Sequence, residues 1–144
     1  MADPFALIAA GDADAVRELL DTRPELAGKR DADGLSLVLH ALCSGQHDLV
    51  DPILDANPPL DVCDTAAVGR TRGLEELLDA EPALVHTTRP DGSTPLHLAA
   101  RFDQADAVTV LLERGADRAA RDGEGKIAAD VAAEGTRELL ADGD

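Results

Sequence analysis

Laid over itself so that Asp33-Gly34 meets Asp91-Gly92, the chain repeats. In the same register Ala9-Ala10-Gly11 lies on Ala67-Val68-Gly69, Leu19-Leu20 on Leu77-Leu78, Pro24 on Pro82, Val50 on Val108 and Leu54 on Leu112. A unit of two short repeats therefore occurs twice, and a partial unit follows it. A repeat of this size cannot bury an apolar stripe alone, so its stability comes from stacking on its neighbours. An irregular helical bundle, the competing architecture, gives no reason for the internal match.

The most regular copy starts at Asp91 and reads Asp91-Gly92-Ser93-Thr94-Pro95-Leu96-His97-Leu98-Ala99-Ala100, continuing through Val108, Leu111, Leu112, Gly115 and Ala116. Gly92 permits the positive φ of a tight turn. Thr94 is placed to cap a helix by accepting a bond from an amide one turn in, and Pro95 follows at the first helical position, where its missing N–H costs nothing. His97 stands at the third helical position, from which a side chain reaches back to the cap, so a neutral imidazole bonded to Thr94 is expected. No second ligand stands at metal-site spacing around it.

This stretch resembles an ankyrin repeat, whose signature is T-P-L-H-x-A at a period of about 33 residues. The resemblance implies an all-α solenoid of stacked antiparallel helix pairs, in about five repeats with divergent first and last copies. It points to small ankyrin-repeat proteins of bacterial or archaeal type. The whole chain, 1–144, is read as one such domain, with approximate repeats 4–30, 31–60, 61–87, 88–120 and 121–142. The first lacks the Gly-x-Thr-Pro start and reads as a cap. In the second, Ser36, Leu37 and Leu39 replace Thr, Pro and His, and Pro52 is expected to kink or shorten the second helix. The third has no such start and rests on Ala66-Ala67, Gly69, Leu74, Leu77 and Leu78. The fifth has Ile127 at the capping site and Asp130 at the histidine site, and its acidic last helix, about Thr136 to Ala141, reads as a closing cap.

Composition narrows the function. With two Phe and no Trp or Tyr, the core must be built from Leu, Val, Ile and Ala, which suits closely set helices. A formal charge of −16 argues against nucleic acid, since phosphate binding draws on Lys and Arg, and equally against an anionic membrane. The start lacks a basic leader region and no apolar run reaches membrane-spanning length, so a cytoplasmic protein is expected. Two cysteines, Cys43 and Cys63, do not form a disulfide framework and are expected to be reduced.

No cofactor, metal or catalytic residue is expected. The glycines sit at repeat turns, no G-x-x-x-x-G-K-[ST] pattern occurs, and the carboxylates fall in no catalytic motif. What remains is a non-catalytic module, monomeric and bound to another protein. Two alternatives share the residues: a metal or thiol sensor using His40 and Cys43, and an acidic mimic of nucleic acid that sequesters a basic protein. Gly45 should break the helix before His47, which separates that histidine from His40 and Cys43. The ankyrin resemblance implies contacts from the concave face and the finger loops. On the inner helices these are Cys43 and Ser44, Val68, and Arg101 with Phe102, and on the fingers they are Asp33, Leu35, Pro90, Asp91, Ser93, Glu124 and Lys126. Phe102 beside Arg101 has the make-up of an energetic anchor.

Overall fold

The computed structural model describes residues 3–32, 34–56 and 58–141. Among them the regular structure is helical: α1 (Pro4–Ala9), α2 (Ala13–Thr22), α3 (Leu37–Cys43), α4 (Val50–Asp55), α5 (Val62–Val68), α6 (Thr71–Ala80), α7 (Pro95–Arg101), α8 (Ala105–Glu113), α9 (Ala128–Val131) and α10 (Glu134–Ala141). The odd-numbered helices, first of each pair, are termed inner, and the even-numbered helices, second of each pair, outer. The fold is all-α, as the sequence implies, and within each unit the helices pack in pairs. The chain divides into two compact units, Met1–Leu60 and Asp61–Asp144.

The longest of these helices, α2 and α6, have 10 residues each, too few to persist in water without tertiary support. Their sequences show where that support comes from. The inner helix α7 buries every residue from Pro95 to Ala100, and α5 every residue from Val62 to Ala67. Ala66, Ala67, Ala99 and Ala100 have no measurable exposure, so neighbouring backbones approach closely where a larger side chain would hold them apart. The outer helices are amphipathic instead, burying Val16 and Leu20 on α2 and Leu74 and Leu78 on α6, one turn apart in each case. In the first unit α1 packs on α2 and α3, and α2 on α4. In the second, α5 packs on α6 and α7, α7 on α8 and α9, and α10 on α8.

Inner-helix N-caps mark the repeats. They are Asp3, Ser36, Asp61, Thr94 and Ile127, evenly spaced except for the shorter step from Ser36 to Asp61. The internal match in the sequence therefore spans one full interval and the short one. Asp3 accepts a bond from the Phe5 amide at 3.0 Å, and Ser36 from the Leu39 amide at 3.2 Å. The third repeat, whose start was not recognisable by letters, has a reciprocal cap: Asp61 accepts from the Asp64 amide at 2.8 Å and Asp64 from the Asp61 amide at 3.2 Å. Two carboxylates replace the Thr–His pair because both satisfy the same orphan amides. Ile127 has no side-chain acceptor, so only half of the box survives, with Asp130 accepting from the Ile127 amide at 3.0 Å.

Pro52 acts as expected. The second helix of that repeat opens as a 3-10 turn, His47–Leu49, and α4 has 6 residues against 9 in α8. The last helix begins at Glu134, ahead of the expected Thr136.

Candidate functional site

Three loops between repeats share one turn. Asp31, Arg89 and Asp122 each donate their amide to a carbonyl just beyond the turn, that of Leu35, Ser93 and Lys126, and their carbonyls accept from Gly34, Gly92 and Gly125. These are the fingers. Where the turn starts with Asp, its carboxylate also accepts from the amide that closes it, at 2.9 Å in Asp31–Leu35 and 3.0 Å in Asp122–Lys126. Arg89 cannot accept, so in the middle finger Asp91 takes over and accepts from the Ser93 amide at 2.9 Å.

These bonds shift the carboxyls. The Lys126 amide, with that of Glu124, holds Asp122 below the ordinary carboxylate range. Partial burial alone would raise Asp91, but the Ser93 amide and hydroxyl, with the Arg89 guanidinium, outweigh it and leave the carboxyl below its usual value. Tips of the second unit are also tied together, since the Gly123 amide donates to the Asp91 carbonyl at 2.7 Å.

His97 is positioned as a structural cap and reaches beyond its own repeat. Its Nδ1 accepts from the Thr94 amide at 3.2 Å and lies 2.8 Å from the Thr94 hydroxyl, while the His97 amide donates to Thr94 Oγ1 at 3.3 Å. With Nδ1 accepting, the proton is assigned to Nε2, which donates to the Lys126 carbonyl at 2.8 Å. The ring is buried and bonded through both nitrogens, and it fastens the next finger to this helix.

The expected contact residues divide by exposure. Cys43, Ser44, Pro90, Asp91, Arg101, Glu124 and Lys126 are exposed, and Leu35, Val68 and Phe102 are half-buried. Ser93 is buried, held by the turn it closes. Asp33 lies outside the described residues. Arg101 stands 5.6 Å from the centre of the Phe102 ring, a cation–π pair at the end of α7.

His40 and Cys43 share α3, but the His40 ring meets Phe5 edge-on at 5.3 Å between centroids, and Gly45 turns the chain before His47. Among the described residues, no three His, Cys, Asp or Glu side chains are placed to hold a metal ion. The two thiols differ sharply. Burial, and then the Asp61 carboxylate, push Cys63 up to about 12, whereas Cys43 is exposed. A thiol-alkylating reagent is therefore expected to modify one cysteine per native chain, at position 43, and both only after denaturation. Mass spectrometry of the native reaction checks this, and rapid labelling of Cys63 would contradict its burial.

Two glutamines went unrecognised in the sequence. Gln104 Nε2 donates to the Ala67 carbonyl at 3.0 Å, tying the turn after α7 to α5. The close approach needs Gly69, since a Cβ there would overlap the Gln104 amide. Gln46 lies against Gly11 in the same way, 3.2 Å from where a Cβ would stand. The signal was present, because Gly11 and Gln46 map onto Gly69 and Gln104 in the internal match.

Helix pairs stacked through short turns, with bonded fingers between them, define a helical repeat protein. The family described as Ankyrin repeats (many copies) matches residues 77–132. The chain is also similar to alpha-latrocrustotoxin-Lt1a of Latrodectus tredecimguttatus, at 27% identity over 137 residues that cover 88% of this chain and 10% of that protein. It thus spans a tenth of the length of that relative. Ankyrin repeats are generally protein–protein interaction modules and typically non-enzymatic. Among the described residues, no helix is long and apolar enough to cross a membrane.

Proposed function

We propose that this chain is a non-catalytic, cytoplasmic, monomeric module that binds another protein through its inner-helix ends and finger tips. The contacts in the first unit are Leu35, Cys43 and Ser44. Those in the second are Val68, Pro90, Asp91, Arg101, Phe102, Glu124 and Lys126. The observation that carries this reading is the Arg101–Phe102 pair, an aromatic ring left half-exposed under an exposed guanidinium in a chain with only two phenylalanines. Such pairs supply much of the energy at interfaces.

The fingers suit the role because backbone bonds fix their shape before binding, which lowers the ordering cost of association. Phe102→Ala tests the anchor. Folding stability is expected to change by less than about 1 kcal/mol, because the ring is not enclosed, while capture of the partner recovered from the native host weakens by at least about 2 kcal/mol. A loss of about 3–5 kcal/mol in folding stability with capture intact would make the ring a core residue instead.

A further inference from the structure

The internal match places two equivalent sites on the outer helices, and one of them lacks a group that the other has. In the second unit, Arg114 follows α8 and its Nη1 donates to Asp79 Oδ1 on α6 at 2.6 Å. The equivalents in the first unit are Asp21 on α2 and Ala56 after α4. The acceptor is kept and the guanidinium is gone. Leu78, Pro82 and Glu113 correspond to Leu20, Pro24 and Asp55, while Pro52 stands for Val110 and Arg17 for Glu75.

A cleft of about 350 Å³ occupies the corresponding place, lined by Leu20, Asp21, Pro24, Pro52, Asp55 and Ala56. Its apolar part is Leu20 and the two prolines, and its rim carries two exposed carboxylates. Among the described residues, neither Asp21 nor Asp55 has an ion pair. Arg17 also lines the cleft, but its nearest carboxylate is Asp14, at 4.0 Å. Pro52 lies within the shortened α4, which forms one side of the cleft.

We infer that this cleft receives an arginine side chain from a protein partner, with the aliphatic stem along Leu20, Pro24 and Pro52 and the guanidinium against Asp21 and Asp55. Arg114 shows the arrangement within the same chain. A planar guanidinium with several fixed donors matches paired carboxylates, and its stem favours apolar walls over water. The site belongs to the outer helices of the first unit, so it does not rest on the inner-helix contacts proposed above.

The test uses the full chain and a short peptide, acetylated and amidated at its ends, with one arginine among glycine and serine. Its counterpart carries citrulline, which keeps the shape and removes the charge. In a titration followed by amide NMR, the arginine peptide is expected to give saturable shifts at Leu20, Asp21, Asp55 and Ala56, with the citrulline peptide at least tenfold weaker. Ala56→Arg should fill the cleft with the chain's own guanidinium and weaken the peptide at least tenfold. The backbone allows it, since Ala56 at φ −77° and ψ 0° matches Arg114 at φ −94° and ψ 9°. Asp21→Asn, at an exposed position, should weaken binding likewise, and Asp79→Asn should leave it unchanged. Absence of saturable shifts at those amides, equal binding of citrulline, or unchanged affinity in both Ala56→Arg and Asp21→Asn would overturn the assignment.

Discussion

Gly92→Ala is expected to destabilise the protein by about 2–5 kcal/mol, as measured by chemical denaturation. Two costs combine. Gly92 has φ +84°, a conformation that charges an alanine about 1–2 kcal/mol. An added Cβ would also stand 2.6 Å from the Gly123 nitrogen and 3.0 Å from the Asp122 carbonyl carbon. Both are backbone atoms, so no rotamer change relieves the overlap. The neighbouring finger must move, and the bond from the Gly123 amide to the Asp91 carbonyl is lost with it. Gly34 separates the two costs. It has φ +80° but nothing within 4 Å of its Cβ position, so Gly34→Ala should lose only about 1–2 kcal/mol. Equal losses in the two variants would show that the contact between fingers contributes nothing.

That comparison also shows what could be read from sequence. Glycine at 34 and 92 was legible as a turn because a tight turn with positive φ has few other solutions. The contact that makes Gly92 the more critical of the two was not, since it depends on Gly123, in the next finger, meeting the Asp91 carbonyl. The Thr94–His97 cap was legible for a similar local reason, as both partners lie within one turn. The second bond of His97, to the Lys126 carbonyl, crosses to the next repeat and has no local signature.

The third repeat shows a different limit. Asp61 and Asp64 hold the places of Thr94 and His97 one repeat earlier and perform the same capping, but a motif written as residue names does not equate a carboxylate with a hydroxyl or an imidazole. The candidate site followed the same pattern. The places of Arg101 and Phe102 follow from the paired alanines before them, whereas the enclosure of Ser93, whose amide and hydroxyl serve Asp91, has no signature in the sequence. The cleft at Asp21 was missed because its signal is an absence, Ala56 where the other copy has Arg114. It becomes visible only once the pairing of Arg114 with Asp79 is known.

Removing residues 134–144 is expected to cost more than about 3 kcal/mol, a large part of the roughly 5–15 kcal/mol that holds a domain together. Leu140 is 6% exposed and contributes about 1.5–3 kcal/mol by burial. Thr136 is wholly enclosed, and its hydroxyl donates to the Ala100 carbonyl at 2.8 Å, worth about 0.5–1.5 kcal/mol. The end of the helix is held separately, because Arg118 Nη1 donates to the carbonyls of Leu139 and Leu140, both at 3.0 Å. Without α10, the α8 face that includes Leu111 meets water, and the shortened chain should bind a hydrophobic dye and self-associate. Thr136→Val in the full chain separates burial from bonding. It keeps the shape of the side chain, and the Ala100 carbonyl still accepts from the Ala133 amide at 2.9 Å, so the loss should stay near about 1 kcal/mol. A truncated chain that remained monomeric with the parent's denaturation midpoint would mean that α10 covers nothing the repeat before it needs.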